Sequence, residues 1–275
     1  MRADLHIHTT ASDGRWTPEQ VIAGVQAEGI GLFAVADHDS VGNVLRTEQL
    51  AQEADLTFLR ATEISAMDDG DLFHILGYGI DPENPALQAL LTEQTEKMEA
   101  IDAADIRRLI ELGYPLDYEE YLAYKYDRTR GGFKSLNYCI DKGLCASPRD
   151  FFVNIRSELG HEWPDFVHPT EAIAVIREAG GHPVLAHPGE SLAKRDGLSE
   201  ATLAPFLAYG IEGLECYSQY HDATMTSLCV DWCDRHDLLM TGGSDYHGGF
   251  VGRRLGVPRT DTANLRLGPL LENLT

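Results

Sequence analysis

Histidines and acidic residues occur in this sequence at spacings that could hold metal ions. His6 and His8 are two residues apart within the segment 4–9, and residues at that spacing in a β-strand project from the same face. Two imidazoles on one face can bind one cation, although the pair could also be ordinary polar residues of a strand. Their significance depends on what the rest of the chain brings close to them.

Polar residues of the same kinds follow several apolar runs that are predicted to be strands. In barrels of alternating strands and helices, the carboxyl ends of the strands open on one face, where active sites are built. We therefore expect the side chains at these ends to converge. Five residues stand at such positions: His38, Glu63, His187, Asp245 and His247.

Two further residues are candidates with competing interpretations. His74 opens the apolar run 73–78, where a structural histidine is the alternative. Asp13 lies in the loop directly after the first strand, where a turn aspartate is the alternative, but that loop faces the presumed site. With these two the chain offers nitrogen and oxygen donors and no cysteine, a mixture that suits manganese, iron or zinc.

The number of donors predicts more than one cation. Nine donors exceed the needs of a single ion, so we expect two or three divalent ions with Glu63 as the bridging carboxylate. Metal pairs about 3.5 to 4 Å apart can activate water and clamp a phosphoryl group. Hydrolysis at phosphorus is therefore the predicted reaction, with a hydroxide held by the metals attacking in line.

The elements that must position these residues alternate along the chain. Short apolar runs and amphipathic stretches follow one another, which is typical of βα units around a mainly parallel sheet. The first helix is predicted to begin after Thr17 and to end at Gly29, and later helices begin near Pro169 and Ser199. Seven strands are predicted, at 2–8, 32–36, 57–62, 73–78, 183–186, 213–216 and 238–242. An α/β barrel accommodates this pattern.

The strand pattern disappears in the middle of the chain. From the segment 81–85 to about residue 165, helical periodicity with many tyrosines replaces it. The predicted organisation is a barrel domain formed by 1–82 and 166–275, with a helical insertion at 83–165 that serves as a substrate cap. Within the insertion, the segment 124–134 gathers several basic side chains, among them Arg130 and Lys134.

Charge and cysteine content restrict the partners. The formal net charge is -22, from 44 acidic and 22 basic residues, so the surface repels nucleic-acid polymers and anionic membranes. Bound cations would reverse that sign inside a cleft, so a small phosphorylated substrate is compatible with the acidic surface. Five cysteines, an odd number, without a signal peptide favour the reducing cytoplasm, and no apolar run is long enough to span a membrane. The remaining histidines at 161, 168, 182 and 236 are expected to be structural or exposed.

The motifs, taken in order, resemble those of the polymerase-and-histidinol-phosphatase (PHP) family of metal-dependent phosphoesterases. The matching segments are 4–9, 37–39, 62–64, 74–78, 185–188 and 244–247. The resemblance covers the first 80 or so residues and the chain from Pro169 onward. It implies a distorted (β/α)7 barrel resembling a TIM barrel. It also implies metal-ligand roles for His6, His8, Asp13, His38, Glu63, His74, His187, Asp245 and His247.

The first loop and the insertion look most like one branch of that family. The branch includes nucleoside 3',5'-bisphosphate phosphatases, cyclic-phosphate phosphodiesterases and a small 5'-exoribonuclease, which implies phosphate esters of nucleotides or sugar phosphates as substrates. Relatives often read Arg-Pro-His-Ile-Ala-Arg in the insertion, whereas this chain reads Arg-Gly-Gly-Phe-Lys-Ser at 130–135, with Gly132 at the histidine position. Substrate contacts are therefore expected to differ.

Four residues outside the ligand set are assigned to the substrate. Arg130 or Lys134 is expected to hold a second phosphate, with Arg130 also near the reaction, although a solvated basic loop is the alternative. His221 is the candidate for protonating the leaving group or contacting phosphate. Of the adjacent pair Arg253 and Arg254, Arg254 is assigned a phosphate contact, and surface pairing with acids is the alternative.

Other functions remain open from the residues. A metal-holding regulatory module without turnover is one, and the completeness of the ligand set argues against it. Histidinol phosphate phosphatase is a second. A short-RNA 5'-exonuclease is a third, weakened by the surface charge unless the insertion forms a local basic groove. No oligomeric state is predicted.

Overall fold

A computed structural model describes residues 1–159 and 163–274 of the chain, so His161 lies outside the described residues. Apolar runs rich in β-branched and aromatic residues form the strands, as their composition predicts. The strands are β1 (Arg2–Ile7), β2 (Ile30–Val35), β3 (Thr57–Asp68), β4 (Asp71–Tyr78), β5 (His182–Leu185), β6 (Gly213–Ser218), β7 (Leu239–Gly243) and the short β8 (Thr260–Asp261). The seven predicted strands are thus present, and β8 was not predicted.

Helices connect most of the strands and fill the region between β4 and β5. Helix α1 begins where Thr17 donates its backbone N–H to the Gln20 side chain, and it ends at Gly29 in the left-handed conformation. The α-helices are α1 (Pro18–Glu28), α2 (Val44–Glu53), α3 (Pro85–Glu111), α4 (Tyr118–Ala123), α5 (Lys134–Asp141), α6 (Pro148–Asp150), α7 (Pro169–Glu178), α8 (Pro188–Ser191), α9 (Glu200–Tyr209) and α10 (Ala223–His236).

The strands form one curved sheet in the order β7-β6-β5-β4-β3-β2-β1-β8. Its two ends meet where β1 passes the segment after β7: His8 N donates to Tyr246 O at 2.8 Å, and Ile7 and Tyr246 form a parallel bridge. The sheet is therefore a nearly closed barrel surrounded by helices. This confirms the predicted α/β class and the distorted (β/α)7 barrel.

Strand β4 runs against both of its neighbours. It pairs antiparallel with β3, in a hairpin that turns at Asp69 and Gly70, and antiparallel with β5. The β1–β2, β2–β3, β5–β6 and β6–β7 pairs are parallel. The beginning of β4 therefore lies at the same rim as the ends of the parallel strands, which is where His74 stands.

Separate apolar clusters support the barrel and the segment between β4 and α7. Leu5, Ala34 and Leu76 are among the buried residues inside the barrel. Between β4 and α7, another cluster includes Ile106 on α3 and Tyr138 on α5. The described part of this segment contains no strand, and α3 is its longest helix. Among the described residues, no helix has both the length and the apolar character needed to cross a bilayer.

Candidate metal centre

The strand ends bring the nine predicted ligands to one rim of the barrel. His6 lies on β1 and His8 directly after it, Glu63 lies on β3, and His74 lies on β4. The others follow the ends of β2, β5 and β7 or lie in the loop after β1. His6, His8 and Glu63 are fully buried. Residues far apart in the sequence therefore share one buried cluster.

Glu63 stands at the centre of this cluster. Its carboxylate is approached by five imidazoles from four strands or strand ends, so it is the acidic residue that these imidazoles share. Oε2 lies 2.9 Å from His38 Nδ1, 3.2 Å from His6 Nε2 and 3.3 Å from His8 Nε2, and Oε1 lies 3.1 Å from His187 Nε2 and 3.4 Å from His74 Nδ1.

Two more carboxylates extend the cluster on the β1 and β7 side. Asp245 Oδ1 lies 3.0 Å from His8 Nε2 and 3.6 Å from His6 Nε2. Asp13 Oδ1 lies 3.3 Å from His247 Nε2 and 3.9 Å from His8 Nδ1. Carboxylates thus alternate with imidazoles across the rim. His8 lies between Glu63 on one side and Asp13 and Asp245 on the other.

The donor atoms fit divalent cations rather than an internal hydrogen-bond network. Within the described residues, three groups have ligand atoms that all lie within 4.8 Å of one another. Several buried atoms at their centre also lack hydrogen-bond geometry toward any described partner, although buried polar atoms are normally satisfied. These atoms are His8 Nδ1, His38 Nδ1, Glu63 Oε2 and Asp245 Oδ1. So many nitrogen and oxygen donors crowded together, with hydrogen bonds that leave several of them unsatisfied, suit shared cations.

The charges of the cluster are strongly coupled. Burial alone would raise the pKa of Glu63, but His6, His38 and His74 hold that pKa well below its usual value. Burial alone would lower the pKa of His38, but Glu63 raises it to about 10. Imidazoles that are protonated beside these carboxylates must release protons before they can bind a metal, so cation binding displaces protons from the cluster.

Three residues at the rim have positive φ angles although they are not glycine. Asp39, His187 and Asp245 have φ of 44°, 26° and 48°. Such a conformation costs about 1–2 kcal/mol per residue for an L-amino acid, and Asp and His tolerate it better than most. Each residue lies in the loop that follows a strand. His187 and Asp245 themselves enter the cluster, whereas the Asp39 side chain binds Ser65 and its neighbour His38 enters the cluster.

Glu215 on β6 supports the cluster from behind and was missed by the sequence analysis. Its Oε1 lies 3.0 Å from His6 Nδ1, and its Oε2 accepts the backbone N–H of His187 at 2.9 Å. The residue is fully buried between Leu214 and Cys216. An acidic residue inside an apolar strand was the available signal.

Buried aspartates hold the rim loops in a repeated arrangement that was also missed. Each accepts a backbone N–H and a hydroxyl from the same Ser or Thr. Asp4 binds Ser244 N and Oγ at 2.8 and 2.6 Å, and Asp37 binds Thr9 N and Oγ1 at 2.7 and 2.6 Å. Asp39 binds Ser65 in the same way. These aspartates fix the loops that carry the donors.

The assigned basic residues are placed differently from one another. Arg130 forms a two-bond ion pair with Asp141, at 2.8 and 2.9 Å, within the segment between β4 and α7. Lys134 lines the cavity beside the cluster and donates to Leu122 O at 3.0 Å. Arg254 is exposed. Its neighbour Arg253 instead reaches Asp245 Oδ2 at 2.5 Å. The structure therefore brings Lys134 and Arg253 toward the site, and not Arg130 or Arg254.

His221 is occupied by backbone partners. Its Nδ1 lies 2.9 Å from Cys216 O, and its Nε2 accepts the backbone N–H of Gly189 at 2.9 Å. One ring nitrogen donates and the other accepts, so the imidazole is neutral, and burial lowers its pKa. This arrangement leaves no ring N–H for a leaving group, which does not support the predicted acid role. His221 instead ties the start of α8 to β6.

A cavity of about 570 Å³ opens beside the cluster. Asp13, His38 and His74 form one side of it. The other side comes from α3 and the helices that follow it, and much of that wall is apolar, including Met98, Leu122 and Phe152. A small organic phosphate could place its phosphoryl group against the cluster and its remaining atoms against this wall.

Characterised proteins share both sequence and length with this chain. It is 31% identical over 263 residues to phosphoribosyl 1,2-cyclic phosphate 1,2-diphosphodiesterase of Eggerthella lenta, covering 91% of this chain and 95% of that protein. It is 31% identical to the 3',5'-nucleoside bisphosphate phosphatase of Chromobacterium violaceum, covering 92% and 90%. It is 30% identical to the 5'-3' exoribonuclease Rnm of Salmonella typhimurium, covering 93% and 89%.

Solved structures agree with these relatives. A Bifidobacterium adolescentis protein described as a metal-dependent phosphoesterase superposes with a TM-score of 0.82 and 28% identity, covering 95% of this chain and 93% of that one. A Bacteroides vulgatus protein with a PHP-like metal-dependent phosphoesterase domain shares the fold at a TM-score of 0.50 and 14% identity, covering 90% and 52%. No family model matches the chain. The full-length relatives, with the barrel and its cluster of donors, show that this chain is a metal-dependent phosphoesterase of the polymerase-and-histidinol-phosphatase (PHP) family.

Proposed function

We propose that the chain hydrolyses a phosphate monoester or diester of a small nucleotide or sugar phosphate at the rim of its barrel. The observation that carries this proposal is the buried cluster of imidazoles and carboxylates around Glu63, which opens directly into a cavity of about 570 Å³. That volume suits a small molecule. The named substrates of the relatives, a cyclic phosphate and a nucleoside bisphosphate, have this character.

Two or three divalent ions are the proposed cofactors, with manganese, iron or zinc favoured by the nitrogen and oxygen donors. The chemistry that such ions supply is activation of water and neutralisation of charge on phosphoryl oxygens. Glu63 is proposed to be shared between neighbouring ions, because both of its oxygens face imidazoles. The proposed ligands are His6, His8, Asp13, His38, Glu63, His74, His187, Asp245 and His247.

Residues around the cluster are proposed to position the substrate. Arg253 contacts Asp245 and the Tyr220 hydroxyl, so its guanidinium lies where it orients Asp245 and adds positive charge beside an incoming phosphate. Lys134 offers a second cation at the cavity wall. The segment 83–165 is proposed to act as the substrate cap, because its helices supply the wall opposite the cluster.

Removing either of two proposed ligands that face each other in the cluster tests the function. His8→Ala and Asp245→Ala should each lower manganese-dependent hydrolysis of p-nitrophenyl phosphate by at least a hundredfold while leaving the circular dichroism spectrum unchanged, because both side chains lie inside the cluster. His168→Ala, at a half-exposed histidine paired with Asp68, is the matched control and should retain activity. Undiminished hydrolysis in both ligand variants would refute the proposal. No hydrolysis by the unaltered chain under any divalent metal would favour a regulatory module instead.

The alternatives within the enzyme class are separable by substrate. The similarity to Rnm keeps a short-RNA 5'-exonuclease as the second candidate. Histidinol phosphate, cyclic phosphates, nucleoside bisphosphates and short oligonucleotides should be compared by kcat/KM, and the proposal expects the best value for a small nucleotide or sugar phosphate.

The cytoplasm is the proposed compartment. All five cysteines are free thiols in the structure. Cys216 Sγ and Cys233 Sγ are 3.7 Å apart, which is a thiol hydrogen bond and not a disulfide. A reducing environment keeps such thiols in this form.

A further inference from the structure

The proposed cap meets the first rim loop of the barrel through the segment 126–132, here called the strap. Arg128 of the strap donates from Nε to Thr10 O at 3.2 Å and from a terminal nitrogen to Ser12 O. Both carbonyls belong to the loop that carries Asp13. One side chain of the cap therefore holds the loop of a proposed metal ligand.

The backbone of the strap also contacts Asp13 directly. Gly132 N donates to Asp13 O at 2.7 Å. Gly131 and Gly132 have φ of 74° and 71°, which glycine adopts without strain and proline cannot adopt. A Cβ added at Gly131 would lie 3.1 Å from Asp13 O and 2.5 Å from Arg15 Cγ. The Gly-Gly pair, which stands where relatives often have Pro-His, thus permits this close approach.

A second rim loop, the one after β7, packs against the same strap. A Cβ added at Gly132 would lie 2.8 Å from Phe250 Cζ, and Phe250 N donates to His247 O at 3.3 Å. His247 Nε2 in turn lies 3.3 Å from Asp13 Oδ1. The strap therefore contacts both loops whose side chains form this pair.

The pair belongs to one particular group of donors. His8, Asp13, His38 and His247 form one of the three groups whose ligand atoms lie within 4.8 Å of one another, and we call it the outer group. Among the described residues, the other two groups each contain Glu63 and neither contains Asp13 or His247. A change in the strap should therefore act on the outer group and spare the groups around Glu63.

We propose that Arg128 is a positioning residue that links the cap to cation binding by the outer group. It holds the first loop so that Asp13 faces His247, and a cation bound there holds the strap against the barrel in return, because coupling between two sites is reciprocal. This inference rests on the proposed function, since it assumes that cations bind the cluster. It goes further by giving the cap a role in metal binding as well as in covering the substrate.

A phosphate-binding role for Arg128 makes a different prediction. Arg128 lines the cavity, but its guanidinium already donates to carbonyls of the first loop and to the Tyr126 hydroxyl at 2.8 Å. If Arg128 bound phosphate, replacing it would raise KM and leave manganese affinity unchanged. Arg130 lies in the same strap and pairs with Asp141 inside the cap. Arg130→Ala is therefore the matched control for manganese binding.

Calorimetric titration of the metal-free chain with manganese tests the link. Arg128→Ala should weaken one class of site by about 10–100-fold, as loss of a residue that orients a metal ligand does. Arg128→Lys should not restore the affinity, because an ammonium lacks the planar fork of donors. Arg130→Ala should bind manganese as the unaltered chain does. Asp13→Ala should lose the same class of site, and adding Arg128→Ala to it should cause no further loss.

Two results of the titration would overturn the inference. One is unchanged manganese affinity in Arg128→Ala. The other is an equal further loss when Arg128→Ala is combined with Asp13→Ala, because the effect would then not act through Asp13. Tyr126→Phe is a second variant that removes the hydroxyl donated to Gly132 O at 2.8 Å, and it should weaken the same class of site by a smaller factor.

Hydrogen exchange of the Gly132 amide gives a readout that does not depend on hydrolysis. Because this amide donates to Asp13 O, manganese should slow its exchange in the unaltered chain and not in Asp13→Ala. If the chain hydrolyses no phosphate ester but manganese still slows this exchange, the proposed function fails and the inference stands. Manganese-dependent hydrolysis with Gly132 exchange that ignores manganese leaves the proposed function intact and refutes the inference.

Discussion

Glu215 connects two proposed ligands that belong to different strands. One oxygen faces the His6 ring on β1, and the other accepts the backbone N–H of His187 after β5. A carboxylate behind a metal-binding histidine fixes the orientation of the ring and raises its basicity as a ligand. The same residue also steadies the left-handed bend at His187, so one side chain controls two donors.

Replacing Glu215 by Gln should weaken metal binding while preserving shape. The Gln carbonyl can accept from one partner, but its NH2 group cannot accept the His187 N–H. Loss of such a partner lowers metal affinity by about 10–100-fold, measured by titrating the metal-free chain with manganese in a calorimeter. Glu212→Gln, on the exposed side of the start of β6 where Glu212 pairs with Arg177 and His182, is the control and should bind manganese normally. Equal affinities for both variants would contradict this role.

Asp102, a buried residue of α3, should affect how the free energy of unfolding varies with pH. Burial raises its pKa from 3.8 to about 6, and Asp105 adds to this while Ser135 and Arg156 oppose it. Between pH 4 and pH 6 the folded chain keeps a proton on Asp102 that the unfolded chain has already lost. The free energy of unfolding therefore falls as pH rises from 4 to 6, and it changes little from this cause above pH 6. Asp102→Asn removes the charge, so its stability relative to the unaltered chain should rise by about 1–3 kcal/mol over that interval. Urea denaturation at pH 4, 5, 6 and 7 measures the difference. A constant difference would show that Asp102 titrates normally.

At the scale of elements, the barrel closes where β1 and β7 approach without side chains between them. A Cβ added at Gly243 would lie 2.3 Å from His6 Cβ and 2.5 Å from His6 N. Because the obstacle is backbone, Gly243→Ala must separate the two strands, and crowding of this kind costs about 1–3 kcal/mol. The displacement would also move His6, so both the free energy of unfolding and manganese affinity should fall.

Gly31→Ala is the matched control for that prediction. Gly31 also lies in a strand, but an added Cβ there would meet only the flexible end of the Met1 side chain. Its stability should change by less than about 0.5 kcal/mol, as is usual for substitutions away from rigid contacts. Chemical denaturation of the two variants measures their free energies of unfolding. Equal losses of this free energy would show that the barrel closure is not constrained at Gly243.

The elements that could be predicted from the sequence are those with local signals. Apolar runs indicated seven strands, and residues at their ends indicated the rim, because parallel strands place those ends together. The direction of β4 had no local signal. The hairpin that reverses it depends on pairing with β3 and β5, so the position of His74 was harder to predict.

The acidic residues that hold the proposed ligands in place could not be predicted from the sequence, for a related reason. Glu215, Asp4 and Asp37 are defined by partners more than 25 residues away. Spacing along the chain does not reveal such pairs. The arginine nearest the cluster was ambiguous as well, since Arg253 and Arg254 are adjacent and only the course of the loop after β7 distinguishes them.

At the scale of the whole molecule, a net charge of -22 and a compact group of carboxylates at the rim favour cation binding. Ligands that bind only the folded chain stabilise it, by about 2.7 kcal/mol at a free concentration one hundred times Kd. Manganese should therefore raise Tm and a chelator should lower it, as measured by differential scanning calorimetry at constant ionic strength. His8→Ala should lose most of this response. An equal manganese response in His8→Ala would place the stabilising ions elsewhere on the acidic surface.

The same net charge predicts how the affinity of the chain for RNA depends on the length of the RNA. A protein that follows a phosphate backbone gains affinity with each contact and loses it steeply with salt, because bound counterions are released. Here the surface is strongly acidic, and the cavity beside the cluster has a volume of about 570 Å³. Recognition should therefore end within the first one or two nucleotides. With 5'-phosphorylated oligonucleotides of two to ten residues, KM should level off after the dinucleotide and should change little between low and moderate salt. If KM instead falls with every added nucleotide and rises steeply with salt, a basic path along the segment 83–165 must bind the strand, and processive exonuclease activity becomes the better account of this barrel.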